Sequence, residues 1–125
     1  MKTKQTGFTL IELVMVILIL SILAATAVPK FFDLSNDARR AALNGLIGSV
    51  ASGSAINFAA RSLNTANGIA VTDCNQAGSL LQEGALPSGY AVTAQAINAG
   101  SAVNCVISTT TAPVMSGTAA VIGIL

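Results

Sequence analysis

Glu12 is the residue most open to chemical use. It is the single ionisable side chain among the 21 residues from Phe8 to Val28. A charge placed inside hydrocarbon costs roughly 2.5–3.5 kcal/mol on insertion scales, so it is tolerated mainly where it has a partner. Cys74 and Cys105 are the only thiols. There is no His, hence no imidazole zinc ligand, no Ser-His or Cys-His nucleophile and no ordinary switch near neutral pH. The remaining acids are Asp33, Asp37, Asp73 and Glu83. They come with no phosphate loop, no metal-ligand cluster and no set of partners for a cleft. No Asp or Glu follows Gln95, which argues against a calcium site built from several oxygen ligands in the final loops. The residue types predict no enzyme, no cofactor and no metal.

The elements around Glu12 limit the choices further. The chain has 125 residues, enough for one small domain. Charged residues make up 9% of it, where about 25% is usual. Its net charge of +1 gives no basic stripe for nucleic acid. As a helix, Phe8–Val28 would span about 30 Å, the thickness of a bilayer core. Three uses of such a segment compete. One is a secretory signal, with Lys2 and Lys4 as its basic end and Ala25-Thr26-Ala27 as the cut site before Val28. Another is an uncleaved anchor. The third is a cut ahead of the apolar run, which keeps that run on the mature protein. Glu12 argues against the first two, because a discarded signal or a passive anchor has no use for a carboxylate.

Gly7-Phe8-Thr9-Leu10-Ile11-Glu12, after a polar leader with two lysines, resembles the class III signal of type IV pilins and type II secretion pseudopilins. The resemblance covers about the first 30 residues, including Pro29 at the end of the apolar run. It implies that a prepilin peptidase cuts between Gly7 and Phe8 and N-methylates Phe8. The new ammonium at Phe8 on one subunit can then meet the Glu12 carboxylate of another, which offsets desolvation and fixes register. It also implies a helical homopolymer, raised from the inner membrane by an assembly platform and its ATPase. The apolar helix would lie in the filament core and the head on the outside. Lys30, Arg39 and Arg40 offset Lys2 and Lys4 in the positive-inside count, so orientation rests on the resemblance. Leu86-Pro87-Ser88-Gly89-Tyr90 and the two cysteines resemble the mannose-sensitive haemagglutinin type, whose pili serve attachment and biofilm formation on Gram-negative-type cells. The alternatives are a pseudopilin of a type II secretion or DNA-uptake system, and a small secreted domain cut after Ala27.

The rest of the chain reads as α+β: a long N-terminal helix, hydrophobic then amphipathic, packed on a small antiparallel sheet. The expected divisions are a leader at 1–7, an apolar helix at 8–28, an amphipathic helix at 29–66 and a head at 67–125. Pro29 predicts a kink, or a short melted stretch to Ser35, with Asp33, Ser35 and Asp37 offering caps for a fresh start. Leu43, Leu46, Ile47 and Val50 form an i, i+3, i+4, i+7 stripe meant for the sheet. Ala38, Ala42, Gly45, Ser49 and Ser52 form a small-residue face suited to close helix packing, in a sequence where small residues abound. Ile56, Ala59, Ala60 and Leu63 keep helical spacing on a rotated face. Asn64 to Gly68 ends the helix. A short helix is expected at Gln76–Glu83 with Asp73 as its cap, then strands at Tyr90–Ile97, Ala102–Ser108 and Val114–Leu125. Thr109-Thr110-Thr111 reads as a surface loop. Outside the cytoplasm, Cys74 and Cys105 predict one disulfide, as in the C-terminal region of many type IV pilins.

Overall fold

The computed structural model describes residues 7–125, apart from the side chain of Asp33. Most of the expected leader, with Lys2 and Lys4, lies outside the described residues. The chain divides into two units, one up to Asp37 and one from Ala38 to Leu125. One helix, α1 (Leu10–Leu63), contributes to both.

In the first unit, α1 exposes its apolar side chains all round. Two hydroxyls inside the apolar run are satisfied by the helix itself. Ser21 Oγ donates to the Ile17 carbonyl at 2.6 Å, and Thr26 Oγ1 to that of Leu23 at 3.0 Å. Such back-bonding suits a helix that must present no unpaired hydroxyl to hydrocarbon. Pro29 sits inside the helix. It has no N–H to give the carbonyl four residues earlier, yet residues 29–35 are all helical. The melted stretch expected there is therefore not formed. One lost hydrogen bond is carried by intact turns on both sides. A kink of the axis at Pro29 stays an expectation.

In the second unit, α1 meets a three-stranded antiparallel sheet of order β1 (Tyr90–Val92), β2 (Ala102–Thr109), β3 (Ser116–Ile122). Cys105 pairs with Ala119 and Ile107 with Gly117. Alternation sends Cys105 and Ile107 of β2, and Ala119 and Val121 of β3, into the core. Leu43 and Val50 of α1 are buried against them, with Leu46 and Ile47 at the edge of the cluster. The i, i+3, i+4, i+7 stripe thus faces the sheet as its spacing requires. Ser54, on the same face one turn on, is 1% exposed and accepts the Ile122 N–H at 2.8 Å.

Several element boundaries differ from the sequence reading, the last strand running Ser116–Ile122 where Val114–Leu125 is expected. The expected helix at Gln76–Glu83 is instead a 3-10 helix at Cys74–Leu80. A capping box starts it early: Asp73 accepts the Asn75 N–H, and Gln76 reaches back to the N–H of Asp73. The strand expected at Tyr90–Ile97 stops at Val92, because the chain then changes partners. Gln95 and Ile97 pair with the segment before the 3-10 helix: Cys74 N donates to Gln95 O at 2.9 Å and Ile97 N to Thr72 O at 2.7 Å. The last strand ends at Ile122, and Ile124 goes on to bridge Val71.

Candidate functional site

The chemistry-bearing residues fall in two places, one in each unit. In the first unit, Gly7, Phe8 and Thr9 precede the first turn of α1, and Glu12 lies within that turn. Thr9 donates its N–H to Glu12 Oε2 at 2.9 Å and its hydroxyl to the same oxygen at 2.7 Å. The Glu12 N–H points back to Thr9 Oγ1 at 3.4 Å. This Thr-x-x-Glu arrangement is a capping box, which satisfies donors that a helix start leaves open. Sequence reasoning about Glu12 alone missed Thr9, although the spacing is a helix-start signature.

Glu12 Oε1 has no hydrogen-bond partner among the described residues. Phe8 is 86% exposed. Every residue whose exposure is described from Gly7 to Arg40 is exposed. The helix contains a window long and apolar enough to cross a bilayer, with none of it buried. Chemically, the arrangement offers one carboxylate with an open oxygen, held in a fixed rotamer on an apolar rod. Such a group can receive a cation that arrives with its own apolar surface.

In the second unit, Cys74 and Cys105 form a disulfide with a Cα–Cα distance of 5.5 Å. Both residues are fully buried. The bond ties the start of the 3-10 helix to the central strand, in the core rather than at a surface where a redox partner could reach it. Asn57 accepts the Ile69 N–H at 2.8 Å and donates to the Ile69 carbonyl at 2.9 Å, holding the chain after α1 against the helix. Gly68 takes a φ of +66° beside that amide, a conformation that favours glycine. The Asn67-Gly68 turn signal reflects this conformation, while Asn57 left no signal.

The small-residue face of α1 is exposed at all five positions, Ala38, Ala42, Gly45, Ser49 and Ser52. Nothing in the head covers it. The rotated residues have a partial explanation. Ile56 and Ala60, with Ser49, Gly53, Leu80 and Leu81, line a groove of about 700 Å³ between α1 and the 3-10 helix. Leu63 is 88% exposed.

Comparison with known proteins bears on the first place. The model of the prokaryotic N-terminal methylation motif matches residues 2–28. A motif of this kind implies processing by a prepilin peptidase. The chain is 47% identical over 53 residues to the type IV narrow pilus major component PilA5 of Thermus thermophilus. The match covers 42% of this chain and 46% of that protein, so the chain spans about half the length of the curated relative. No solved structure matches. The motif and the relative both support the type IV pilin family.

Proposed function

We propose that this chain is the structural subunit of a type IV pilus filament, a helical homopolymer of processed copies. The observation that carries the reading is the bare apolar helix with Glu12 in its first turn. So large an unburied apolar surface needs cover. Lipid supplies it before assembly, and neighbouring helices supply it afterwards. Exchanging lipid for helix gains little hydrophobic energy, because lipid tails are as apolar as the side chains. Register must then come from something else. The cut between Gly7 and Phe8 creates an ammonium on an exposed, apolar N-terminal residue. N-methylation of Phe8 leaves that group charged. The Phe8 ammonium of one copy meets the open oxygen of Glu12 on another, and a mispositioned helix leaves both charges unpaired in a dry core.

The partners in this reading are the prepilin peptidase, the inner-membrane assembly platform with its ATPase, and other copies of the chain. The protein resides in the inner membrane as a single-pass monomer and then on the outside of the cell. The stretch Leu86-Pro87-Ser88-Gly89-Tyr90 with the two cysteines supports the mannose-sensitive haemagglutinin type within the family, and with it surface attachment and biofilm formation.

The test is the intact mass and N-terminus of the protein from membranes and from sheared filaments. The expected species starts at N-methylated Phe8 and lacks two hydrogens for the disulfide. A chain starting at Val28, recovered as soluble secreted protein, would overturn the proposal.

A further inference from the structure

The head carries few charges, and most of them are used inside the fold. From Ala38 onward they are Arg39, Arg40, Arg61, Asp73 and Glu83. Arg39 donates to the Ala112 carbonyl at 3.0 Å. Arg61 holds the carbonyls of Leu125, Thr65 and Asn67. Asp73 caps the 3-10 helix. Arg40 and Glu83 remain. Both are exposed, and neither side chain makes a hydrogen bond among the described residues.

Their placement is complementary. Arg40 lines a concavity of about 380 Å³ with Leu43 and Asn44 of α1 and with Val114, Met115 and Ser116 before and at the start of β3. Glu83 stands in the turn Leu81–Gly84, closed by the Gly84 N–H on the Leu81 carbonyl at 2.9 Å. The residue before it, Gln82, lines the groove between α1 and the 3-10 helix. At about 100° per residue, positions 40, 43 and 44 project from α1 on the side opposite to positions 49, 52, 53, 56 and 60. The unpaired cation therefore stands on one flank of α1, and Gln82, the residue next to the unpaired anion, on the opposite flank. A self-complementary patch closes a two-fold dimer. Complementary patches on opposite flanks make a head-to-tail contact that leaves one of each kind open for the next copy.

We propose that Glu83 of one copy docks in the Arg40 concavity of a neighbouring copy, and that this pair joins heads along the filament. The proposal rests on the filament reading above. Charge reversal tests it in cells assembling the full chain, by the amount of sheared filament relative to the membrane pool. Arg40→Glu and Glu83→Arg each replace attraction by repulsion at every joint, and each is expected to lower the yield about tenfold, the scale set by reversing an exposed pair. The double variant, with both charges exchanged, is expected to return to within about twofold of wild type, because the pair is restored in reverse. Retention of the disulfide in all three variants reports a folded head. Single reversals that leave the yield unchanged overturn the proposal. So does a double variant no better than the worse single one, the result expected if Arg40 instead meets an anionic lipid headgroup. In either case wild-type filaments leave the parent reading standing. A wild-type chain that forms no filaments sinks both.

Discussion

Thr9 and Glu12 lock each other at the start of α1: a single carboxylate oxygen, Oε2, takes both the backbone N–H and the hydroxyl of Thr9. The carboxylate therefore has two jobs. One oxygen ends the helix ladder, and the other is open to a partner. Cleavage after Gly7 would leave the box intact, since every atom of it lies beyond the cut. The new ammonium would form one residue before Thr9. The same box that starts the helix thus sets the rotamer in which Glu12 would meet a neighbour in the proposed filament.

The two jobs separate by substitution. Glu12→Gln keeps an acceptor for Thr9 and removes the charge. Thr9→Ala removes the hydroxyl and keeps the charge. Loss of a cap side chain costs about 0.5–2 kcal/mol, spread here over a long helix that other turns support. Glu12→Gln is expected to give processed membrane monomer at wild-type level and about tenfold fewer filaments, the scale of removing one charge-assisted hydrogen bond from a buried pair. Thr9→Ala is expected to keep most of its filaments. Immunoblots of the membrane and sheared fractions read both. An equal loss in the two variants would assign Glu12 to capping rather than to subunit pairing.

The disulfide makes a second quantity accessible. Cys74 and Cys105 are 31 residues apart, and closing a loop of that size restricts the unfolded chain by roughly 3.5–4 kcal/mol in the entropic account. The head has a thin core of Leu, Val, Ile and Ala, so the bond is a large share of its stability. Cys74→Ala with Cys105→Ala is expected to lower the melting temperature of the full chain in detergent by about 15–30 °C. Circular dichroism of the sheet against temperature measures it. A change of only a few degrees would mean that the core holds the 3-10 helix to β2 without help.

The elements legible in the sequence are those whose side chains repeat. The Leu43–Val50 stripe marks the sheet-facing side of α1, and alternation along Cys105 and Ile107, and along Ala119 and Val121, marks β2 and β3. What sequence reading missed is held by single polar groups in irregular backbone. Asn57 grips Ile69 from a distance of 12 positions, and Ile97 pairs with Thr72 across 25. Such bonds need one acceptor in one place and leave no period behind. Tyr90–Ile97 reads as a single strand because apolar and polar residues alternate from Val92 to Ala96. Its second half spends the same alternation on a different partner. At the N-terminus, the Thr9-x-x-Glu12 spacing is readable, but the apolar run draws attention to the charge alone. The placement of Arg40 and Glu83 needs the fold, since only there do Arg39 and Arg61 find their carbonyls and Asp73 its N–H donor.

Two glycines in the head give a final contrast, decided by what a methyl group would strike. At Gly78, in the buried part of the 3-10 helix, a Cβ would lie 2.8 Å from the Leu86 N and 3.2 Å from the Ala85 carbonyl carbon. Both are backbone atoms of a segment that must pass close by, so relief requires the chain itself to move. At Gly117, in β3, the Cβ would meet the Cδ1 of Ile47. That is the far end of a side chain with other rotamers, and Ala fits a strand interior better than Gly does. Gly78→Ala is therefore expected to destabilise the head by about 1–3 kcal/mol, the usual cost of forced overpacking. Gly117→Ala is expected to cost less than about 1 kcal/mol. Equilibrium denaturation of the detergent-solubilised chain, read by its sheet signal, ranks the two. The reverse order would mean that the turn after the 3-10 helix yields more easily than the packing of Ile47 on the sheet.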